Sequence, residues 1–185
     1  MADFTKNAIK TAFMTLLNKN PLNKITVKMI VDECGIHRNS FYYHYADIPT
    51  LIEEIITQEA DRIISEHPTV ESAEAAINAA IDFASENKRA ILHIYNSVNR
   101  DIFERYLWKV CDYIVAAYSR NVPQAQGLDA FDGDVIGGFY KCAFFGIVND
   151  WLNSGMNEDV RERVTRLCVL HHGMPEEMLR RSKDE

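Results

Sequence analysis

Apolar residues recur along this chain at intervals of three and four, the spacing of one helical face, and nowhere with the strict alternation of a half-buried strand. Over residues 3–18, Ile9, Ala12, Phe13, Leu16 and Leu17 share a face, which Asn20-Pro21-Leu22-Asn23 interrupts. Thr26 is placed to cap a short helix over 27–34, with Val27, Ile30, Val31 and Cys34 on one side. Gly35, lacking a Cβ, suits the left-handed residue that closes such a helix. A second short helix follows from 37 to about 44.

Asp47 is expected to cap the next helix, with Pro49 in its first turn, where a missing N–H does no harm. That helix carries Leu51, Ile52, Ile55, Ile56, Ile63 and Ile64 and ends at His67-Pro68. Further helices are expected over 70–86, with Ala73, Ala76, Ala80 and Ala84 on a small-residue face, over 88–98 and over 100–118. Residues 121–128, with Pro123 and Gly127, form the clearest loop. A long helix over 131–153 ends at Ser154-Gly155, another covers 158–170, and a polar turn starts at Met174. The fold class is all-α, with no internal repeat.

Composition adds that the chain is an ordinary globular one: of its 185 residues, 47% are hydrophobic and 25% charged. The N-terminus lacks the apolar stretch of a signal peptide. The longest apolar run, 135–148, is too short to span a bilayer and contains Lys141, so no membrane partner is expected. Cys34, Cys111, Cys142 and Cys168 form no C-x-x-C pair, which points to reduced thiols in a cytoplasm rather than to disulfides or zinc. A net charge of -7 argues at first against nucleic acid, but it is unevenly spread. Residues 1–50 hold six basic and four acidic residues, net +2, whereas the remainder holds 14 basic and 23 acidic, net -9. A mildly basic head on an acidic body suits a protein that offers one end to a polyanion.

The informative stretch is 25–45. Two short helices joined at Gly35-Ile36, with a third before them, make a helix-turn-helix. On a helical wheel the second of these puts Ser40, Phe41 and His44 on one side and Arg38, Asn39, Tyr42 and Tyr43 on the other. The first group can pack on Ile30 and the first helix. The second leaves outside a guanidinium able to pair with guanine, an amide able to pair with adenine, and phenols that reach phosphates. The Thr26-capped helix offers free N–H groups to a phosphate with Lys28 nearby. One such module is too small for useful affinity, so two copies on a roughly palindromic duplex are expected. Taken singly, any of these tyrosines would more often be core than contact. The wheel separates Tyr42 and Tyr43 from the core, whereas Tyr45 stays structural.

The order of a first helix, Ile25-Thr26-Val27 through Gly35, Phe41-Tyr42-Tyr43-His44-Tyr45, and a capped helix with Leu51-Ile52 resembles the TetR-type one-component transcriptional regulators. A further similarity runs from Phe145-Gly146 through Trp151-Leu152 to Ser154-Gly155, especially to members from low-GC Gram-positive bacteria. The resemblance implies a three-helix DNA-binding head over 1–47 and a larger antiparallel helical bundle over 48–185, which binds an effector and pairs two subunits. It implies that Thr26, Lys28, His37, Arg38, Asn39, Tyr42, Tyr43 and His44 face DNA. It also implies repression as the default, relieved when an unidentified small molecule binds the non-DNA conformation better. Two departures stand out. His37 replaces the small hydroxyl residue of many members, and Ala46-Asp47-Ile48-Pro49 lacks the lysine many carry there. Losing that cation should weaken DNA affinity or shift its salt dependence.

The 131–153 helix is apolar nearly all round, which suits one that meets its own core on one side and a partner on another, the alternative being the central helix of a monomeric bundle. Phe139, Phe145 and Trp151 supply area for pairing, Gly137, Gly138 and Gly146 allow close approach, and Val160, Val164 and Leu167 complete the face. In the family the preceding helices surround the effector cavity; here the candidates are Phe83, His93, Tyr106, Tyr113 and Phe144. No catalytic residue, metal or cofactor is expected. Gly137-Gly138 lacks the Lys-Ser/Thr of a phosphate loop, Asp129, Asp132 and Asp134 lack calcium-loop spacing, and His171-His172 are adjacent. The competing reading is a helical ligand- or protein-binding module that has lost DNA binding, favoured by the acidic total and by Ala46–Pro49.

Overall fold

The computed structural model describes residues 2–69, 72–97, 100–120 and 128–183. Among these the chain is all-helical: α1 Ala2–Lys19, α2 Val27–Cys34, α3 Arg38–His44, α4 Ile48–Glu66, α5 Ala73–Glu86, α6 Lys88–Tyr95, α7 Arg100–Arg120, α8 Ala130–Asn153, α9 Val160–His171 and α10 Met174–Arg181. The loop expected at 121–128 lies outside the described residues save for Leu128, as do the expected helix ends Val70 and Val98.

Three details differ from the sequence reading. The break after α1 contains a 3₁₀ turn, Leu22–Lys24, which folds Leu22 into the core. The α6 helix ends at Tyr95, where the Asn96 and Ser97 amides turn back onto Leu92 and Ile94. The expected terminal turn is a full helix, α10. Pro175 sits in its first turn with Glu176 and Glu177, Arg180 and Arg181 are in its last, and Leu179 is buried.

By internal contact the chain divides into two units, residues 1–59 with 86–106, and residues 60–85 with 107–185. The first buries Ile9, Phe13 and Leu17 of α1, Ile30 and Val31 of α2, Phe41 of α3, Leu51 and Ile52 of α4, and Ala90 and Ile94 of α6. His93 Nδ1 lies 2.7 Å from the Leu17 carbonyl oxygen and ties α6 to α1. In the second unit Ile81 of α5 packs with Val160 and Val164 of α9, flanked by Ile77, Ile147, Trp151 and Cys168. Arg161 pairs with Asp82 along the same seam, and Thr165 donates to Glu74 at 3.0 Å. The Tyr113 and Tyr118 hydroxyls donate to Asp61 and to the His67 carbonyl, both at 2.6 Å. Within the single chain α8 is not covered on every side: Leu152 is its buried residue, and Phe131, Val135 and Phe139 are more than half exposed. No helix among the described residues is long and apolar enough to cross a membrane.

The two ends of α2 carry its definition. The Thr26 hydroxyl accepts from the Met29 amide at 3.3 Å, and Gly35 closes the helix at φ 69°, with the Ile36 amide donating to the Val31 carbonyl at 3.0 Å. Thr26→Ala should therefore cost about 1 kcal/mol by loss of the cap. Gly35→Ala should cost a similar ~1–2 kcal/mol through a Cβ in the left-handed region. Urea unfolding midpoints should fall for both, and an unchanged midpoint for Gly35→Ala would contradict the strained-turn account.

Candidate nucleic-acid interface

The geometry of α3 follows from which of its residues are buried. Phe41 is fully buried and Tyr45, one turn on, is 1% exposed, with ring centroids 5.7 Å apart. Fixing these two inward turns the opposite flank to solvent. Arg38 and Asn39 are exposed, Tyr42 is 46% exposed and Tyr43 82%. Ser40 and His44 are half-buried, and His44 stands edge-on to Tyr43 at 5.0 Å. At the head of α3, His37 is the N-cap residue but its side chain makes no capping bond, and it is exposed. Thr26 and Lys28, at the start of α2, are exposed as well. The structure thus brings Arg38, Asn39, Tyr42 and Tyr43 onto one open surface and leaves His44 at its edge.

That surface is partly organised. Arg38 Nη2 donates to the Tyr42 hydroxyl at 3.1 Å, and its guanidinium carbon lies 5.5 Å from the Tyr42 ring centroid. The pair shares one helix turn, so part of the ordering of the arginine is done before any ligand arrives. At the head of α4, Asp47 serves the backbone: its Oδ1 accepts from the Thr50 amide at 2.8 Å and from the Thr50 hydroxyl at 2.7 Å. The carboxylate caps α4 and adds a negative charge to this edge.

A polar cluster behind α3 was not visible in the sequence. Glu54 of α4 accepts from Lys6 Nζ at 2.8 Å and from the Tyr45 hydroxyl at 3.2 Å, and its Oε1 lies 3.1 Å from Lys10 Nζ. Gln58 joins through Lys10 at 2.5 Å and Glu54 at 3.1 Å. Lys6 also stands 5.6 Å from the Tyr45 ring centroid. Partial burial works against the Glu54 carboxylate, but hydrogen bonds from Lys6 and Lys10, and their charges, outweigh it and hold the group below the ordinary glutamate range. Burial and the adjacent Glu54 charge push the Tyr45 phenol well above its usual value. Two of the six cations counted in the basic head are therefore turned to an internal acid.

A cleft of about 380 Å³ opens in the first unit. It is bounded by Ile25, Tyr42, Asp47, Ile52, Phe103 and Tyr106, among others. Of the residues expected around an effector, Tyr106 lines this cleft. His93 is instead engaged with the Leu17 carbonyl and Tyr113 with Asp61, while Phe83 is half-buried and Phe144 lies 6.4 Å from the Tyr140 ring. Of the residues expected at a subunit interface, Val160 and Val164 are buried in the chain's own core and have little surface left for a partner. Phe139 and Leu167 are exposed, Phe145 packs edge-on to Trp108, and Trp151 is half-buried with its indole N–H on the Glu158 carbonyl at 3.2 Å.

An all-α chain whose short third helix presents arginine, asparagine and tyrosine beside a capped second helix is built as a helix-turn-helix DNA-binding regulator. Residues 71–173, more than half of the chain, match a TetR C-terminal family model described as "Transcriptional regulator C-terminal region". The chain belongs to the TetR family of transcriptional regulators, which is not an enzyme class. No curated protein sequence matches it. Among solved structures it is similar to the "Dihydroxyacetone kinase operon activator DhaS", with 16% identity, TM-score 0.69, and 92% of this chain and 97% of that one covered. It is also similar to two crystal structures of NalD, the secondary repressor of the MexAB-OprM multidrug efflux pump in Pseudomonas aeruginosa. These share 14% identity at TM-scores of 0.50 and 0.51, with at least 96% of each chain covered. At such identities the likeness is one of fold.

The Glu54 cluster has a pH signature. Its carboxylate titrates lower in the folded than in the unfolded chain, so its stabilisation is full above the unfolded value and lost as pH falls through the folded one. Glu54→Gln should lower stability at neutral pH by on the order of 1 kcal/mol, and its thermal midpoint should converge on that of the unmodified protein as pH falls below the ordinary glutamate range. A gap that persists unchanged into acid would assign the loss to packing instead of charge.

Proposed function

We propose that this regulator is a homodimeric repressor that binds a palindromic operator in double-stranded DNA through residues 1–47, with 48–185 serving for effector binding and dimerisation. The observation that carries the reading is the division of α3, with Phe41 and Tyr45 buried and Arg38, Asn39, Tyr42 and Tyr43 exposed. In this reading Arg38 and Asn39 address base edges. Tyr42, Tyr43, Thr26, Lys28, His37 and His44 meet phosphates and sugars. DhaS is described as an activator and NalD as a repressor, so the fold accommodates either sign. Repression follows from the simplest mechanics, a dimer occupying promoter DNA that polymerase needs.

Dimerisation is supported by the apolar surface that the single chain leaves open. Phe131, Val135 and Phe139 on α8 are exposed, as are Leu167 and Leu170 on α9, and among the described residues nothing beyond the adjoining helix comes within 4 Å of a Cβ built on Gly138 or Gly146. Such a patch on a soluble protein marks an interaction surface. A small-molecule effector is the expected input, with Tyr106 its best-placed candidate contact because it borders the cleft. The cytoplasm is the expected compartment, in keeping with four free cysteines.

Two experiments test this reading. In anisotropy titrations with the duplex upstream of its own gene, binding should fall steeply with salt. Arg38→Ala should relax sequence preference at a cost of about 1–3 kcal/mol for the best site, whereas Lys28→Ala should weaken all duplexes alike and reduce the salt slope by about 1. A flat response to salt and to both substitutions would favour a helical module without DNA binding. In light scattering at micromolar concentration the protein should be a dimer and Phe139→Asp a monomer, and a monomeric unmodified protein would remove the two-headed arrangement.

A further inference from the structure

We infer that Glu54 is a positioning residue for DNA binding, an acid that raises affinity for a polyanion by fixing the helix that reads it. The inference rests on α3 being the reading helix.

Glu54 gathers side chains from two other places in the fold. Lys6 and Lys10 come from successive turns of α1, and Tyr45 is the residue that ends α3. The Tyr45 phenol spans from the buried ring, packed on Phe41, to the Glu54 carboxylate. The side chains of Lys6, Lys10 and Glu54 are 33%, 14% and 22% exposed, so the charges are partly withdrawn from water and held by several hydrogen bonds at once. An ion pair of this kind has more geometric than energetic consequence, because desolvation offsets much of the attraction while the bond directions remain demanding. Here those directions set where the end of α3 lies against α1 and α4. A small rotation there moves Arg38 and Asn39, nearly two turns away, off the base edges.

The alternative is that Glu54 is only an acid in a basic head. The two accounts differ in sign. Removing a carboxylate near DNA reduces repulsion, so a bystander Glu54→Gln should bind DNA more tightly. A positioning Glu54→Gln should bind more weakly, although the head becomes more positive. The lysines discriminate again. If Lys6 and Lys10 met phosphates, replacing either would reduce the salt slope by about 1. If they hold Glu54, the slope stays as it is.

The test measures affinity and salt slope for the full chain and for Glu54→Gln, Lys6→Gln, Lys10→Gln and Tyr45→Phe. The probes are the upstream duplex and a mixed-sequence duplex. The expected result is a loss of roughly tenfold for Glu54→Gln and a smaller loss for Tyr45→Phe, with salt slopes unchanged. Hydrogen exchange in the DNA-free protein should quicken at α3 amides and not in residues 107–183, which separates a local shift from general loosening. Should Glu54→Gln fail to fold, Tyr45→Phe and Lys10→Gln each remove one arm of the cluster and carry the same comparison. Tighter binding by Glu54→Gln, or a reduced slope in either lysine variant, overturns the inference and leaves the DNA reading intact. Failure of the unmodified protein to bind either duplex removes the DNA reading itself.

Discussion

The burial of Phe41 on α3 and of Tyr45, one turn on at its C-terminal end, is the constraint from which the head of this protein follows. A seven-residue helix has no stability of its own, since nucleation uses most of what so few hydrogen bonds return. It exists because two aromatic rings, each worth a few kcal/mol of burial, are fitted against the packed helices around them. Once those rings point inward, helical geometry turns Arg38, Asn39, Tyr42 and Tyr43 outward. The surface proposed to meet DNA is thus a by-product of packing, which is why it can be displayed without being covered.

The surrounding helices keep that arrangement in place by local means. Thr26 and Gly35 fix the two ends of α2, and Asp47 fixes the start of α4. Each works over three or four residues, so each was legible in the sequence, as were the order of the helices and the open flank of α3. The Glu54 cluster was not. Lys6 and Glu54 are 48 residues apart, and nothing in the spelling of α1 says that its lysines turn inward. A count of basic residues in the head assigns Lys6 and Lys10 to the polyanion, whereas the structure pairs them with an acid.

The C-terminal part shows a different limit. The all-round apolarity of the α8 sequence reads as burial on every side, yet in one chain Phe131, Val135 and Phe139 stand exposed. Periodicity reports that a face is apolar and not whose surface will cover it. The sequence placed Val160 and Val164 at a pairing face, but they fill the chain's own core with Ile81, because an apolar position on α9 can be claimed by α5 as readily as by a partner. The α10 helix was missed for a simpler reason. Gly173, Met174 and Pro175 look like a break, but Pro in a first turn followed by acids, with arginines in the last turn, is how a short surface helix is begun and ended.

Charge and assembly are connected through the same cluster. On the proposed reading, with Lys6 and Lys10 turned to Glu54, the attraction of one head for a phosphate backbone rests on few cations, among them Lys28 and Arg38, and Asp47 stands at its edge. Counterion release scales with the number of phosphates neutralised, so a single head of this kind binds duplex DNA weakly. Two heads held together meet the second half-site at an effective concentration set by their linkage, and no further cation is required. On the proposed reading the apolar stripe of α8 and the sparse charge of α2 and α3 are therefore two halves of one design. On that reading, weak single contacts leave a paired protein responsive to anything that alters the spacing of its heads, and pairing lets the correctly spaced form bind.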